Sequence, residues 1–136
     1  MHHIISTFQG GMAFNTDLSG HPVTIDLKPA DGGNNTGSSP KILMLVSLAG
    51  CTGVDVVMIL NKMRVEFSDF SIEIYGHLTD TEPRTYHTVN ILYKIKVKPE
   101  AESKVAKAVD ISQNKYCGVS AMFRAFANLE TEIAFV

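Results

Sequence analysis

The chain has 136 residues, of which 45% are hydrophobic and 19% are charged, with a formal net charge of −2. This length and composition predict one globular domain, residues 1–136, with a sizeable core. The small negative charge and the scattered lysines argue against nucleic-acid binding and favour a small-molecule substrate. The first residues lack a basic region followed by an apolar run, so we expect no secretory signal and a cytoplasmic location.

The N-terminal third predicts three short strands followed by a loop. Apolar segments at 3–8, 12–15 and 23–27 are separated by turn residues, which is typical of a small antiparallel meander. Residues 28–37 are rich in glycine, asparagine and aspartate. We therefore expect a loop there, which leads into the next element and helps to shape a pocket mouth.

Residues 38–63 predict a long central helix. Ser39 is suited to cap its first turn, and Pro40 is suited to be its first helical residue because proline has no amide to satisfy. Between residues 42 and 60 only Asp55 is charged, and apolar residues fall on all sides of the helical wheel, which predicts a helix enclosed all round. Since one small chain has few elements to cover such a helix, we expect an obligate homodimer.

The same apolar run is long enough to raise the question of a membrane span. Asp55, Ser47, Thr52 and two glycines interrupt it, and the other segments are amphipathic. We therefore expect a core helix and no association with a membrane.

The C-terminal half predicts a hairpin, two helices and a last strand. Residues 70–77 and 87–97 are rich in β-branched and aromatic residues, with a turn between them, and Pro99 ends the second strand. Helices are predicted at 102–110 and 118–129, separated by residues 111–116, which break the helical pattern, and a strand is predicted at 132–136. The order βββαββααβ predicts an α+β fold with helices packed on antiparallel sheet.

Two cysteines, Cys51 and Cys117, are the main candidates for chemistry, and they can meet only through the fold. In a cytosolic protein they indicate catalytic or redox chemistry rather than a structural disulfide. Cys117 is expected where the last helix begins, where helix amides favour a thiolate. Cys51 lies in a helix interior with Asp55 one turn later, so burial and that carboxylate are expected to raise its pKa.

Glycines and arginines complete the predicted surroundings of Cys51. Gly50 and Gly53 each cost about 1 kcal/mol in a helix interior relative to alanine, which predicts a need for open space or for close backbone approach. A buried thiol beside a carboxylate needs a positive charge to ionise. We predict that Arg84, in the hairpin turn, or failing it Arg124, reaches Cys51.

Plainer interpretations stay open at this point. Buried cysteines are often inert small hydrophobes, the glycines can simply permit helix packing, and Arg84 can be an ordinary turn residue. A metal site made of both cysteines and a histidine is disfavoured because the sequence has no paired-ligand spacing. The histidines are dispersed, at His2, His3, His21, His77 and His87.

Two motifs resemble the OsmC/Ohr family of thiol peroxidases. The first is S-S-P at 38–40 followed by G-C-T-G-V-D-V-V at 50–57, and the second is A-V-D-I-S-x-x-K-Y-C-x-V at 108–119. The resemblance covers nearly the whole chain and is closest to the branch of OsmC-like proteins that carries the K-Y-C-x-V signature.

The resemblance implies a fold of antiparallel β-sheets around a long central helix, in an intertwined homodimer with active sites at the subunit interface. It also implies that Cys51 attacks an organic hydroperoxide and becomes a sulfenic acid, which Cys117 resolves as a disulfide. A dithiol donor protein of the lipoyl or thioredoxin type would then reduce the disulfide, with no bound cofactor. Such an enzyme would serve in the response to oxidative stress.

The sequence departs from the founding members of that family at two positions. These carry a glutamate just after the proline that opens the central helix, where this chain has Lys41, and an arginine in the N-terminal strands, where this chain has none. The candidate catalytic residues are therefore Cys51, Cys117 and Arg84, and the candidate substrate-binding residues are Gly50, Gly53, Asp55 and Tyr116. The alternative is a non-enzymatic module that binds a hydrophobic small molecule in the dimer-interface pocket.

Overall fold

The computed structural model describes residues 1–136, and its elements follow the predicted order βββαββααβ. The strands and helices are β1 (Ser6–Gly10), β2 (Ala13–Leu18), β3 (His21–Ile25), α1 (Pro40–Lys62), β4 (Ser68–Leu78), β5 (Tyr86–Lys96), α2 (Glu102–Ile111), α3 (Gly118–Arg124) and β6 (Asn128–Phe135). A π-helical turn, Ser112–Tyr116, joins α2 to α3. The α+β class is confirmed, and the contacts divide the chain into two compact units, residues 1–44 and 45–136.

In the first unit, β1, β2 and β3 form an antiparallel sheet in chain order, which confirms the predicted meander. Phe8 pairs with Phe14 across the first hairpin, and Thr16 pairs with Val23 across the second. The strand limits differ from the prediction by up to three residues, because backbone pairing rather than the apolar pattern decides where each strand begins and ends.

Asp26 anchors the loop that follows this sheet, a role that no sequence pattern indicated. Its side chain is 1% exposed and accepts hydrogen bonds from the amides of Leu27, Asn34 and Thr36 and from the Thr36 hydroxyl. The Thr36 hydroxyl has the largest effect, and together these bonds lower the pKa of Asp26 to about 2. Residues 28–37 are therefore an ordered loop, with a short 3₁₀ turn at Pro29–Asp31.

In the second unit, β4, β5 and β6 form a sheet with β5 in the centre. β4 and β5 are an antiparallel hairpin, as predicted, with Ile74 opposite Ile91. β6 runs parallel to β5, with Ile91 opposite Thr131, so the sheet is mixed and the expectation of wholly antiparallel sheets is corrected here. A parallel return needs a long crossover, and α2, the π-helical turn and α3 supply it.

The core of this unit lies between β5 and the helices. Alternate residues of β5 are buried, as expected for a central strand with one face on helices. The buried apolar cluster comprises Leu48, Val56, Ile59, Leu60, Val65, Tyr86, Val89, Ile91, Tyr93, Ile95, Val105, Ala108, Val109 and Phe123.

α1 begins at Pro40, as predicted, but a single chain does not enclose it all round. Its buried residues recur at helical spacing and therefore mark one face of the helix. They are Leu48, Thr52, Val56, Ile59 and Leu60. Other apolar residues of α1 are exposed: Ile42, Met44, Val46, Val54 and Met58. A single chain therefore leaves one face of α1 exposed, and its enclosure by a partner subunit stays a prediction.

By length and composition alone, α1 is the one helix of the chain that is long and apolar enough to cross a membrane. The core helix of a water-soluble fold satisfies the same criteria. Here the buried face of α1 carries Thr52, whose hydroxyl bonds to side chains of other elements, and this favours the core-helix interpretation.

The last helix is shorter than predicted. α3 ends at Arg124, and the amides of Ala125 and Phe126 then bond to carbonyls three residues earlier, which tightens and ends the helix. Phe126 is exposed, and Leu129 lies in β6 rather than on a helical face. The apolar spacing was misleading because pairing with β5 recruits residues from Asn128 onward.

Candidate active site

Cys51 and Cys117 lie together in the folded chain. Their sulfur atoms and a carboxylate oxygen of Asp55 all lie within 4.8 Å of one another. The two thiols share a hydrogen bond. Cys51 is half-buried, whereas Cys117 is 3% exposed. The structure therefore brings both candidate catalytic cysteines and one candidate binding residue into one cluster.

Local geometry accounts for each position in this cluster. Cys51 and Asp55 are four residues apart in α1, so their side chains share one face of the helix. Cys117 is placed by the π-helical turn, which its amide closes by donating to the Ser112 carbonyl at 2.8 Å. Its backbone is extended, and it forms the N-cap of α3, as predicted.

Each member of the cluster accepts a hydrogen bond from a different donor. The Ser120 amide donates to Cys117 Sγ at 3.3 Å, and the Ser112 hydroxyl donates to Asp55 Oδ2 at 3.1 Å. The Val119 amide donates to the Cys51 sulfur. These donors favour the anionic forms of the groups that they contact.

The pKa of Cys51 is nevertheless raised. Burial is the largest cause, the hydrogen bond with Cys117 is the next, and the charge of Asp55 contributes the least, while the Val119 amide acts in the opposite direction. The predicted direction of this pKa shift and its two causes agree with the structure. No arginine or lysine of the chain is among the groups that shift the pKa of Cys51.

A buried chain of hydroxyl groups leads to Asp55. Thr52 Oγ1 lies 2.6 Å from the Tyr93 hydroxyl and 2.9 Å from Ser112 Oγ, which in turn contacts Asp55. Each hydroxyl has one proton, and an ionised carboxylate only accepts. The donors are therefore ordered from Tyr93 to Thr52, from Thr52 to Ser112 and from Ser112 to Asp55.

Gln113 and Arg124 hold the other end of this chain. Gln113 Nε2 donates to the Tyr93 hydroxyl at 2.8 Å and to Thr52 Oγ1 at 3.2 Å. Arg124 donates to the Gln113 carbonyl at 2.6 Å and to Gln113 Oε1 at 2.9 Å, which fixes the orientation of the amide group. Arg124 therefore contacts Gln113, which bonds in turn to Tyr93 and Thr52 and to neither thiol.

Arg84 lies in the exposed turn between β4 and β5, where its Nε pairs with Glu82 Oε1 at 3.3 Å. The structure does not bring it to Cys51 within one chain, so its catalytic role stays a prediction. Tyr116 is exposed next to Cys117, with the Lys115 ammonium 5.1 Å from its ring centroid, and its contact with substrate also stays a prediction.

The two glycines of α1 serve different purposes. A Cβ atom at Gly53 would lie 3.1 Å from Ile72 Cδ1 on β4, so Gly53 permits close packing of helix on sheet. A Cβ atom at Gly50 would meet nothing within 4 Å, so open space surrounds that position. Substrate contact at either glycine is a prediction.

Sequence reasoning missed four polar residues of the site. Thr52, Tyr93, Ser112 and Gln113 were assigned to a helix, a strand and an irregular segment, with no role in chemistry. One signal was available: residues 111–116 break the helical pattern, and π-helical turns are frequent at functional sites.

Ser112 and Ser120 provide a matched pair of buried serines for testing the network. Ser112→Ala removes a donor to Asp55 and a partner of Thr52, so we expect it to lower the free energy of unfolding by about 1–3 kcal/mol. The Ser120 hydroxyl has no hydrogen-bond partner, so Ser120→Ala is expected to be neutral or stabilising. Urea unfolding of both variants is the measurement, and equal effects would contradict the proposed importance of the network.

Comparison with known proteins identifies the family. Residues 32–132 match the model of the OsmC-like protein family. YhfA of Escherichia coli K12 is 30% identical over 120 residues, which are 88% of this chain and 87% of YhfA. The crystal structure of a hypothetical protein from Aquifex aeolicus VF5 is similar, with a TM-score of 0.83 and 29% sequence identity. The match covers 100% of this chain and 98% of the Aquifex chain.

An organic hydroperoxide resistance protein from Elizabethkingia anophelis shares the fold, with a TM-score of 0.72 at 13% identity over 100% of this chain and 98% of that chain. The resemblance in the two cysteine motifs and the match over residues 32–132 agree with each other. The chain belongs to the OsmC/Ohr family of OsmC-like proteins.

Proposed function

We propose that this protein is a thiol-dependent peroxidase that reduces organic hydroperoxides. The observation that carries the proposal is the meeting of the Cys51 and Cys117 sulfurs, with Asp55, within 4.8 Å. These cysteines are far apart in the sequence and are brought together by α1 and the π-helical turn. Membership of the OsmC/Ohr family supports the same chemistry.

The reaction proceeds in two steps at sulfur. The Cys51 thiolate attacks the terminal peroxide oxygen, the O–O bond breaks, and an alcohol leaves once its oxygen has taken up a proton. The Cys117 thiolate then attacks the Cys51 sulfenic sulfur, the S–O bond breaks as the disulfide forms, and the departing hydroxide takes up a proton to give water. An external dithiol donor protein returns both cysteines to thiols, and no bound cofactor is required.

Accessibility supports Cys51 as the residue that performs the first step. Cys51 is half-buried, whereas Cys117 is almost fully buried. A peroxide therefore meets Cys51 first, and the buried thiol is positioned to resolve the sulfenic acid. Since only the thiolate attacks and burial raises the pKa of Cys51, the rate rises with pH above neutrality.

Single cysteine variants test this division of labour. With one equivalent of an organic hydroperoxide, Cys117→Ser is expected to form a sulfenic acid on Cys51 that a dimedone-type probe traps, and then to over-oxidise because no thiol resolves it. Cys51→Ser is expected to do neither and to lose peroxide consumption. Mass spectrometry locates the label. If the Cys51→Ser variant carried the label on Cys117 and still consumed peroxide, Cys51 would not be the attacking thiol.

The assembly proposed for this enzyme is a homodimer in the cytoplasm. An outward strip of α1 carries Val46, Gly50, Val54 and Met58 at four-residue spacing, and its three larger side chains are 58%, 61% and 53% exposed. A second copy of the chain would remove this apolar surface from water. The open space at Gly50 allows another backbone to approach closely.

Light scattering at micromolar concentration tests the assembly. The wild-type protein is expected to be a dimer, and Val54→Asp is expected to dissociate it or prevent its folding, because a charge would be buried in the contact. Val136→Asp, at an exposed position outside the strip, is the control and is expected to stay dimeric. A stable wild-type monomer would refute the proposal.

A further inference from the structure

The cluster of Cys51, Asp55 and Cys117 brings two sulfur donors and one carboxylate together. The three donor atoms lie within 4.8 Å of one another. The two ion pairs of the chain, Arg84–Glu82 and Lys94–Glu73, do not include Asp55. Arg124 donates to Gln113 instead.

The donor set suits a thiophilic divalent cation. Zinc binds cysteine sulfur at about 2.3 Å and carboxylate oxygen at about 2.0–2.2 Å, and a tetrahedral site places two sulfurs roughly 3.8 Å apart. The three donor atoms already lie within 4.8 Å of one another, so small side-chain movements satisfy these distances. Three protein donors leave a fourth position open.

The surroundings of the donors also fit a metal site. The Val119 amide donates to the Cys51 sulfur, the Ser120 amide to Cys117 Sγ and the Ser112 hydroxyl to Asp55 Oδ2. Metal ligands are characteristically oriented by such outer hydrogen bonds, which also favour the anionic form of each ligand. Ser112 bonds to one of the two carboxylate oxygens of Asp55.

We propose that the reduced protein binds one zinc ion per chain through Cys51, Asp55 and Cys117, and that disulfide formation releases it. On binding, the metal ion replaces the two thiol protons, which pass to water. On oxidation, the two thiolates lose two electrons and form the S–S bond, and zinc leaves as a divalent ion. The hydroperoxide takes up these electrons and two protons, giving an alcohol and water.

Only the physiological oxidant in this inference rests on the proposed function, because the binding step needs no peroxide. The sequence argued against a metal site made of two cysteines and a histidine. The structure supplies a carboxylate, Asp55, as the third donor. A bound metal ion would occupy the attacking thiolate, so zinc-loaded protein would be protected from peroxide until the metal dissociates.

Titration with cobalt(II) tests the site, with competition by zinc. The adjacent residues His2 and His3 are rival ligands, so both are first replaced by alanine in every protein compared. The reduced protein is expected to bind one equivalent and to show thiolate-to-cobalt charge-transfer absorption, which zinc abolishes. Cys51→Ser and Cys117→Ser are expected to weaken that absorption and to bind about tenfold or more less tightly.

The Asp55→Asn variant distinguishes a metal site with three protein donors from one formed by the two thiols alone. It is expected to keep charge-transfer absorption while binding about tenfold less tightly, whereas Asp69→Asn, at an exposed acidic position, is expected to bind like the parent. Undiminished affinity in Asp55→Asn would overturn the three-donor site. The absence of thiolate-to-cobalt absorption in the reduced parent protein would also overturn the site. Melting curves are the control that each variant is folded.

Release is tested with diamide, a thiol oxidant that is not a peroxide. Oxidation of both cysteines is expected to liberate one equivalent of zinc, measured with a chromophoric chelator. Retention of zinc after complete disulfide formation would contradict the proposal. Because diamide replaces the hydroperoxide, a protein without peroxidase activity still gives a decisive result, and failure of the two proposals can be told apart.

Discussion

The buried hydrogen bonds around Thr52 determine the geometry of the site. Thr52 on α1 meets Tyr93 on β5 and Ser112 in the π-helical turn, so three elements are joined at one hydroxyl. The Ser112 carbonyl also accepts a hydrogen bond from the Cys117 amide, and this bond positions the second thiol. Leaving a buried polar group without its hydrogen bond costs free energy. A movement of one of these three elements would therefore break the bonds and destabilise the core.

The electrostatics of the cluster differ from those of a strongly activated cysteine. Burial, the neighbouring thiol and Asp55 all raise the pKa of Cys51, and the Val119 amide acts in the opposite direction. The glutamate and the N-terminal arginine of the founding family members are missing from this sequence. The same donor atoms connect the two proposals, because two thiols and a carboxylate within 4.8 Å of one another are suited both to disulfide formation and to holding a divalent cation.

The sequence predicted the class, the order of elements and the start of α1, because Ser39, Pro40 and the apolar periodicities report on local structure. It also placed Cys117 at a helix start and gave the direction of the Cys51 pKa shift. The proximity of the thiols came from a family resemblance, not from spacing. The early end of α3, the parallel pairing of β6 and the bonds among Thr52, Tyr93, Ser112 and Gln113 depend on tertiary contacts, which local patterns do not encode.

The central claim is that Cys51 and Cys117 form one redox pair within a chain. Its most direct test is to titrate the reduced wild-type protein anaerobically with an organic hydroperoxide and to count free thiols. One equivalent of peroxide is expected to remove both thiols, to yield one equivalent of alcohol and to give an intrachain peptide pair linked through Cys51 and Cys117. Two free thiols after exposure to excess peroxide would contradict the account and favour a binding module instead.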